Sequence, residues 1–259
     1  MFSQGDAYER FMGRWSRRLA PAMVTFAGIR DGDAVLDLGS GTGALSFAIR
    51  DATKATRITG IDPSADYVAS ATQKCTDDRV RFEVGNAEQL ALPDAAFDKT
   101  LSMLVVSFIP DRVRALQEMV RVTKPGGAIA AAVWDYSDGM EMLRVFWDEA
   151  TAFDEALAAR DEALLPLCKA GELGAFWRAQ GLREVEEAPL TVPLQFTSFD
   201  DYWAPFLLGQ GPAGACVAGL SKERQAALEQ RLRKRLLGDR ADGPLQMHAR
   251  AWAVKGTVR

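Results

Sequence analysis

The run Val35-Leu36-Asp37-Leu38-Gly39-Ser40-Gly41-Thr42-Gly43 constrains this chain more than any other stretch. A short apolar segment ending in an acid leads into glycines at alternate positions, then into a helix-forming segment from Ala44. That order reads as a buried parallel strand, a tight turn and a helix N-terminus, which together make a cradle for a nucleotide-like ligand. Glycine suits such a turn because, with no Cβ, the backbone folds tightly and a ligand can lie directly against it.

From Asp33 to about Asp135 short β-branched apolar runs alternate with helical patterns. Strands are expected at Ala34–Leu38, Arg57–Ile61, Val80–Val84, Phe97–Val105 and Ala128–Val133. Helices are expected at Ala44–Ala52, Ala65–Cys75, a short piece after Asn86, and Arg112–Val122, the last stopped by Lys124-Pro125-Gly126-Gly127. Such alternation predicts an α/β architecture with a doubly wound, mostly parallel sheet. After Asp135 the texture changes. Residues 139–168 are rich in Met, Leu, Ala, Phe and Trp at helical spacing and read as a helical insertion. A helix near Leu173–Gln180 then precedes an extended run, Arg183–Phe196, whose Pro189 and Pro193 place it at a sheet edge. Helical segments near Phe199–Leu208 and Lys222–Leu237 lead to a final strand over Leu245–Val258, so the last two extended runs close the sheet as an antiparallel pair. The expected organisation is one domain: 1–32 as covering helices, 33–135 as the ligand-binding core, 136–169 and 197–240 as a helical cap, and 170–196 with 241–259 completing the sheet.

Composition removes several function classes. A formal net charge of -4 offers no broad electrostatic grip on nucleic acid. The densest basic run (Arg231, Arg233, Lys234, Arg235) alternates with leucines at helical spacing and reads as a solvated helix face. Cys75, Cys168 and Cys216 are scattered and odd in number, and with a single histidine they make no metal ligand set. No apolar run approaches the roughly 20 residues that span a bilayer, and the N-terminus lacks a signal-peptide core. No membrane association and a cytoplasmic location are therefore expected. Nothing in the sequence speaks to oligomeric state.

Two further features stand after successive strands. Gly60-Ile61-Asp62-Pro63-Ser64 ends the second strand in an acid, which can accept hydrogen bonds from both hydroxyls of a ribose. Gly85-Asn86-Ala87-Glu88 follows the third strand, with Leu90, Pro93, Phe97 and Asp98 beyond it. Taken with the glycine turn and with Arg121-Val122-Thr123-Lys124-Pro125-Gly126-Gly127, this set resembles the class I S-adenosylmethionine-dependent methyltransferases, in the small-molecule branch that includes the ubiquinone and menaquinone C-methyltransferases. The resemblance covers about residues 33–135. It implies a seven-stranded Rossmann-like sheet with an antiparallel seventh strand inserted before the sixth. It also implies S-adenosylmethionine as cofactor, S-adenosylhomocysteine as product, and a small-molecule methyl acceptor. Asp37, Gly39, Ser40, Gly41 and Gly43 would hold the methionyl part; Asp62, with Pro63 beside it, the ribose; Asn86, Ala87 and Glu88 the adenine. Leu104 would line the methionyl side. The run from Tyr8 to Arg17 looks like the cofactor-covering helix of such enzymes, with Tyr8 and Arg14 as contacts.

Methyl transfer is an in-line displacement, so the protein must align a nucleophile, exclude water and, for a protonated nucleophile, supply a base. The aromatic-rich regions Gly139–Cys168 and Phe199–Gly211 (Phe146, Trp147, Phe153, Tyr202, Trp203, Phe206) are expected to form a lid around an apolar or aromatic acceptor. Asp135 and Tyr136, at the end of the fifth strand, are the candidate catalytic contacts, with Glu141 a weaker one and His248 read as structural. The Asp/Asn-Pro-Pro-aromatic tetrapeptide of nitrogen methylation is missing, since Ser102-Met103-Leu104-Val105 stands at that place. A Pro-Cys nucleophile is also missing. Two other readings compete: a protein that binds S-adenosylmethionine without catalysis, and a nicotinamide-dependent oxidoreductase, whose relaxed fingerprint Gly39, Gly41 and Ala44 also fit.

Overall fold

The computed structural model describes residues 4–259; the first three residues of the 1–32 segment lie outside the described residues. Seven strands form one sheet: β1 Ala34–Leu38, β2 Arg57–Asp62, β3 Val80–Val84, β4 Phe97–Met103, β5 Thr123–Trp134, β6 Arg183–Phe196 and β7 Leu245–Thr257. Their order is β3-β2-β1-β4-β5-β7-β6. β1 to β5 pair in parallel, and β7 runs antiparallel between β5 and β6. The sheet is flanked by α1 Gln4–Tyr8, α2 Arg14–Ala27, α3 Ala44–Ala52, α4 Ala65–Lys74, α5 Arg112–Val122, α6 Glu141–Phe153, α7 Glu172–Ala179, α8 Phe199–Trp203, α9 Gly211–Ala218 and α10 Lys222–Leu237. Among the described residues no helix is long and apolar enough to cross a membrane.

The strand sequences explain their places. Val35, Leu36, Asp37 and Leu38 of β1 are all buried, as a central strand covered on both faces requires. In β6, Val192, Leu194 and Phe196 are buried while Thr191, Pro193 and Gln195 are exposed, the alternation of an edge strand with one covered face. Its two prolines sit there without costing the ladder a central hydrogen bond. Chain order reverses between β1 and β4, so the carboxyl ends of β1, β2, β3 and β4 open onto a crevice at the switch point.

Four local expectations change. β4 stops at Met103 because Leu104 takes a left-handed φ of 68°, which breaks the extended run. No helix follows Asn86: its side chain accepts from the Glu88 N–H at 2.9 Å, an Asx turn that competes with helix. β5 begins at Thr123, earlier than expected, and absorbs Pro125 and Gly126 through a register shift against β4. The helix α9 has no apolar periodicity to announce it. Its small residues allow close packing instead, since a Cβ on Gly214 would lie 2.9 Å from the Gly209 carbonyl carbon.

The cap rings pack on one another. Phe146 stacks on Phe206 at 4.7 Å between centroids, Trp147 meets Phe146 edge-on, and the buried Tyr202 hydroxyl donates to the Met142 carbonyl at 3.0 Å. The cap thus has its own aromatic core, continuous with the core under the sheet.

Candidate active site

The glycine turn leaves β1 with its shape set by backbone hydrogen bonds across the crevice. The Gly39 and Ser40 N–H groups both donate to the Ile61 carbonyl, at 2.7 and 3.0 Å. Gly39 sits at φ 76°, and a Cβ there would lie 2.5 Å from the Val105 side chain. Gly41, at φ 54°, faces open space, and its N–H donates to Asp62 Oδ2 at 2.9 Å. The second Asp62 oxygen accepts from the Ser64 N–H at 2.9 Å, so each carboxylate oxygen keeps a lone pair for a ligand.

Asp37 is buried beneath the turn. Its carboxylate accepts from Ser46 Oγ at 2.7 Å, yet burial pushes its pKa up to about 7, against the opposing hydrogen bonds from Ser46. Asp62 is raised as well, again by burial, with the Ser64 and Gly41 N–H groups pulling the other way. These acids open on a chamber of about 310 Å³. Its wall is formed by the turn (Asp37 and Gly39 to Thr42) with Asp62 and Leu104, and by Trp134, Tyr136, Leu143, Glu162, Gly211 and Pro212 from later in the chain. A second recess of about 190 Å³ lies on the far side of Gly39, between Ile61, Pro63, Ala87, Val105 and Phe108, with Asn86 and Glu88 at its rim.

Ionisable side chains in the chamber wall are Asp37, Asp62, Glu162 and three tyrosines, with no lysine, arginine or histidine among the described residues. A wall of carboxylates without a counter-cation suits a ligand carrying positive charge and disfavours a pyrophosphate. Ser40 Oγ and Trp134 Nε1, both in this wall, are buried without a hydrogen-bond partner in the protein. Buried polar atoms of this kind call for a partner from a ligand or solvent.

The N-terminal segment covers the turn. Between α1 and α2 the chain makes a π-helical turn over Glu9–Gly13, a distortion often found at functional sites. Gly13 makes room for it: a Cβ there would lie 2.7 Å from a Glu9 carboxylate oxygen. Glu9 accepts from the Thr42 hydroxyl and pairs with Arg17, which ties the segment to the turn. Tyr8, Phe11 and Met12 thereby face the chamber, and the Tyr8 ring packs on Tyr67 at 5.5 Å.

The structure brings together most residues singled out from sequence: Tyr8, Asp37, Gly39, Ser40, Gly41, Asp62, Leu104 and Tyr136 line the chamber, and Pro63, Asn86, Ala87 and Glu88 line the adjoining recess. Gly43 stands just outside as the αL cap of α3, where a Cβ would lie 2.7 Å from the Phe47 ring. Glu88 spends a carboxylate oxygen on the Asp111 N–H at 3.0 Å, bracing the start of α5.

Two expected contacts are not in the chamber. Arg14 points away from it, pairs with Asp201 at 2.7 Å and lies over the Trp15 ring at 4.2 Å, fastening α2 to α8. Asp135 is buried behind Tyr136 and already satisfied by Arg250, Trp252 Nε1, Ser137 and the Asp138 N–H. Burial alone would raise its pKa, but the hydrogen bonds from Ser137 and Arg250 hold it below the usual carboxylate value. Asp135 therefore fixes the β5–β7 corner.

Tyr136 does reach the chamber, and burial lifts its phenol well above its ordinary value, so it stands as a neutral hydroxyl. Glu141 accepts from the exposed His248 backbone N–H at 2.7 Å, away from the chamber. Of the cap rings expected around an acceptor, Phe146, Trp147, Tyr202, Trp203 and Phe206 fill the cap core instead and Phe153 lies under Arg224; the chamber's aromatics come from Tyr8, Phe11, Tyr67, Phe108, Trp134 and Tyr136. Gln210 and Gly211, at the end of the expected lid segment Phe199–Gly211, do line the chamber, while sequence reasoning missed Tyr67, Glu162 and Pro212 as individual site residues.

A seven-stranded sheet of this order, with a glycine turn after β1 and an acid ending β2, defines the class I Rossmann-like methyltransferase architecture. Residues 36–131 match the family model described as a methyltransferase domain. Among curated proteins it is similar to a 27-O-demethylrifamycin SV methyltransferase of Amycolatopsis mediterranei, 36% identical over 118 residues, 44% of this chain and 43% of the relative. A ubiquinone/menaquinone biosynthesis C-methyltransferase of Bdellovibrio bacteriovorus is 32% identical over 117 residues, 44% of this chain and 48% of the relative. The chain thus spans less than half the length of these curated relatives. Among solved structures, a putative methyltransferase from an antibiotic biosynthesis pathway of Anabaena variabilis superposes with a TM-score of 0.62 at 19% identity, covering 93% of this chain and 99% of that one. That likeness shows the shared fold.

Proposed function

We propose that this protein transfers the methyl group of S-adenosylmethionine to a small, largely apolar or aromatic acceptor, leaving S-adenosylhomocysteine. The observation that carries this reading is the chamber wall, which joins a glycine turn to three buried carboxylates and holds no cationic side chain among the described residues. S-Adenosylmethionine brings an ammonium and a sulfonium, and it supplies an electrophilic methyl group beside a good neutral leaving group. Asp37, Ser40 Oγ and the backbone of Gly39 and Gly41 hold the amino-acid part. Asp62 accepts from the ribose hydroxyls through its remaining lone pairs. The recess between Ile61, Pro63, Ala87 and Phe108 takes the adenine, with Asn86 and Glu88 at its edge. Tyr8 and Phe11 close over the top and exclude water, and Tyr136 offers a neutral hydroxyl to orient the acceptor. Neither nucleic acid nor a membrane is part of this reading.

A nicotinamide dinucleotide would place its pyrophosphate at the same turn, beside Asp37 and Asp62 and without a counter-cation, which disfavours the oxidoreductase reading. The test is thermal unfolding with S-adenosylmethionine, S-adenosylhomocysteine and NAD in turn. A ligand at a hundred times its dissociation constant adds about 2.7 kcal/mol, a rise of roughly 5–10 °C for a chain of this size. A rise with the two adenosyl sulfur compounds alone is expected; a rise with NAD alone overturns the proposal. Turnover of a methyl acceptor then separates an enzyme from a binding protein.

A further inference from the structure

Besides Asp37 and Asp62 the chamber wall holds one more carboxylate, Glu162, which comes from the cap, in a short 3-10 turn after α6. Its side chain is 3% exposed, an unusual place for a glutamate with no cation beside it. Two donors from distant parts of the cap hold it there: the indole Nε1–H of Trp147, and the Ala213 N–H at 3.1 Å from the start of α9. Both oxygens are thus oriented by neutral N–H groups, and neither is neutralised by a salt bridge. The neighbouring Asp161 does have one, to Arg144 at 2.5 Å, and it caps the turn through the Ala163 N–H. A group fixed by two neutral donors and aimed into a ligand chamber is arranged to exchange a proton.

We infer that Glu162 is the general base of the reaction and that the acceptor is a neutral molecule bearing an ionisable hydroxyl. The inference rests on the methyl-transfer reading above. As the acceptor oxygen forms its bond to the methyl carbon, the carbon–sulfur bond breaks with its electron pair going to sulfur. The hydroxyl proton passes to Glu162, and the products are a methyl ether, a neutral thioether and a protonated carboxyl group. An anionic acceptor is disfavoured by a chamber walled with carboxylates. An ammonium has no lone pair to attack with and would hold Glu162 in an ion pair, whereas an uncharged hydroxyl donates to the carboxylate and releases its proton as it attacks.

Burial is the main cause that raises Glu162 to about 7, against the Trp147 and Ala213 hydrogen bonds, with Asp161 raising it further. Tyr136 and Cys216 also feel its charge, and both are themselves raised by burial, so neither titrates below it. A carboxylate of that basicity suits proton removal near neutral pH.

The test begins with the wild-type protein saturated with S-adenosylhomocysteine. The Trp147 indole N–H resonance, followed by NMR, should titrate with a midpoint near 7, and it should stop titrating in Glu162→Gln. In the same complex para-ethylphenol should bind at least about tenfold more tightly than ethylbenzene, the worth of one good hydrogen bond to a charged group. In single turnovers with a hydroxyl acceptor, Glu162→Gln should lose about 100-fold in rate, with S-adenosylmethionine affinity within about threefold of wild type. Trp147→Phe removes a donor to the carboxylate and should move the wild-type pH–rate midpoint upward, a result that survives even if Glu162→Gln folds poorly. A silent indole resonance, equal binding of the phenol and the hydrocarbon, or an undiminished rate in Glu162→Gln would each overturn the inference. Tighter binding of phenethylammonium than of the phenol would overturn the hydroxyl acceptor in favour of an amine. Failure of wild type to bind either adenosyl sulfur compound would instead sink the reading on which this one rests.

Discussion

Asp37 and Glu162 are two acids in one chamber, both raised by burial to about 7, and they are built in opposite ways. Asp37 is the last residue but one of β1, and its partner Ser46 comes nine residues later on the next helix. Its hydrogen-bond partner belongs to the same strand–turn–helix unit, with β2 and β4 on either side of the strand. Glu162 is held by Trp147 from α6 and by Ala213, 51 residues further on, and no short segment contains its surroundings. The glycine-turn part of the chamber wall is thus local architecture that a motif can announce. The part around Glu162 is assembled by packing, so it can change its chemistry while the turn stays as it is.

The largest effect should come from the local part. Asp62→Ala removes two backbone hydrogen bonds and the proposed ribose acceptor together; calorimetry should show S-adenosylmethionine affinity falling by roughly 100-fold, since hydrogen bonds to charged groups contribute about 1.5–3 kcal/mol each. Unchanged affinity would show that the ligand does not use the β2 acid. The next effect separates site from scaffold. Asp135→Asn leaves Arg250 without its buried partner and should cost about 1–3 kcal/mol in urea unfolding, with cofactor affinity within about twofold. A loss of affinity matching the loss of stability would put Asp135 back in the site.

A third test sets the two acids against each other through pH. Both keep protons when folded that the unfolded chain, with ordinary values of 3.8 and 4.5, has released. Stability should therefore fall as the pH rises from about 4 to about 7 and level off above, with a slope of up to about 1.4 kcal/mol per unit for each group. Asp37→Asn should remove its own share of that slope in urea melts and leave the share of Glu162. S-Adenosylmethionine affinity should rise through the same window in wild type and lose that rise in Asp37→Asn. An unaltered slope in Asp37→Asn would mean that Asp37 is ionised in the fold. The smallest effect is expected from His248→Ala. Its side chain is 63% exposed on β7, so stability should move by less than about 0.5 kcal/mol and turnover by nothing measurable.

Much of this site was legible because its parts are consecutive in the chain. Gly39, Gly41, Asp62 and Ala87 sit at the ends of successive parallel strands, and strand pairing carries each to the same rim. Arg14 shows where local reading stopped. An arginine on a covering helix suggests a ligand contact, but which way it points depends on Asp201, 187 residues away. Asp135 lies outside the chamber for the same reason, since Arg250 and Trp252 claim it from β7. The cap aromatics were legible as aromatic; that Phe146 and Phe206 would stack on each other, rather than on a ligand, was a matter of how α6 meets the Ala204–Leu208 turn.

What the amino-acid sequence determined by itself is the doubly wound sheet and the glycine cradle at its switch point. Hydrophobic period, glycine positions and strand-terminal acids act within a few residues of one another, and their physics is local. What only the tertiary structure decided is the rest of the chamber wall: Tyr67, Tyr136, Glu162 and Pro212 meeting around one space, and a carboxylate left there without a counter-charge. The basicity of such a group is set by desolvation, which depends on everything packed around it and on nothing in its immediate sequence.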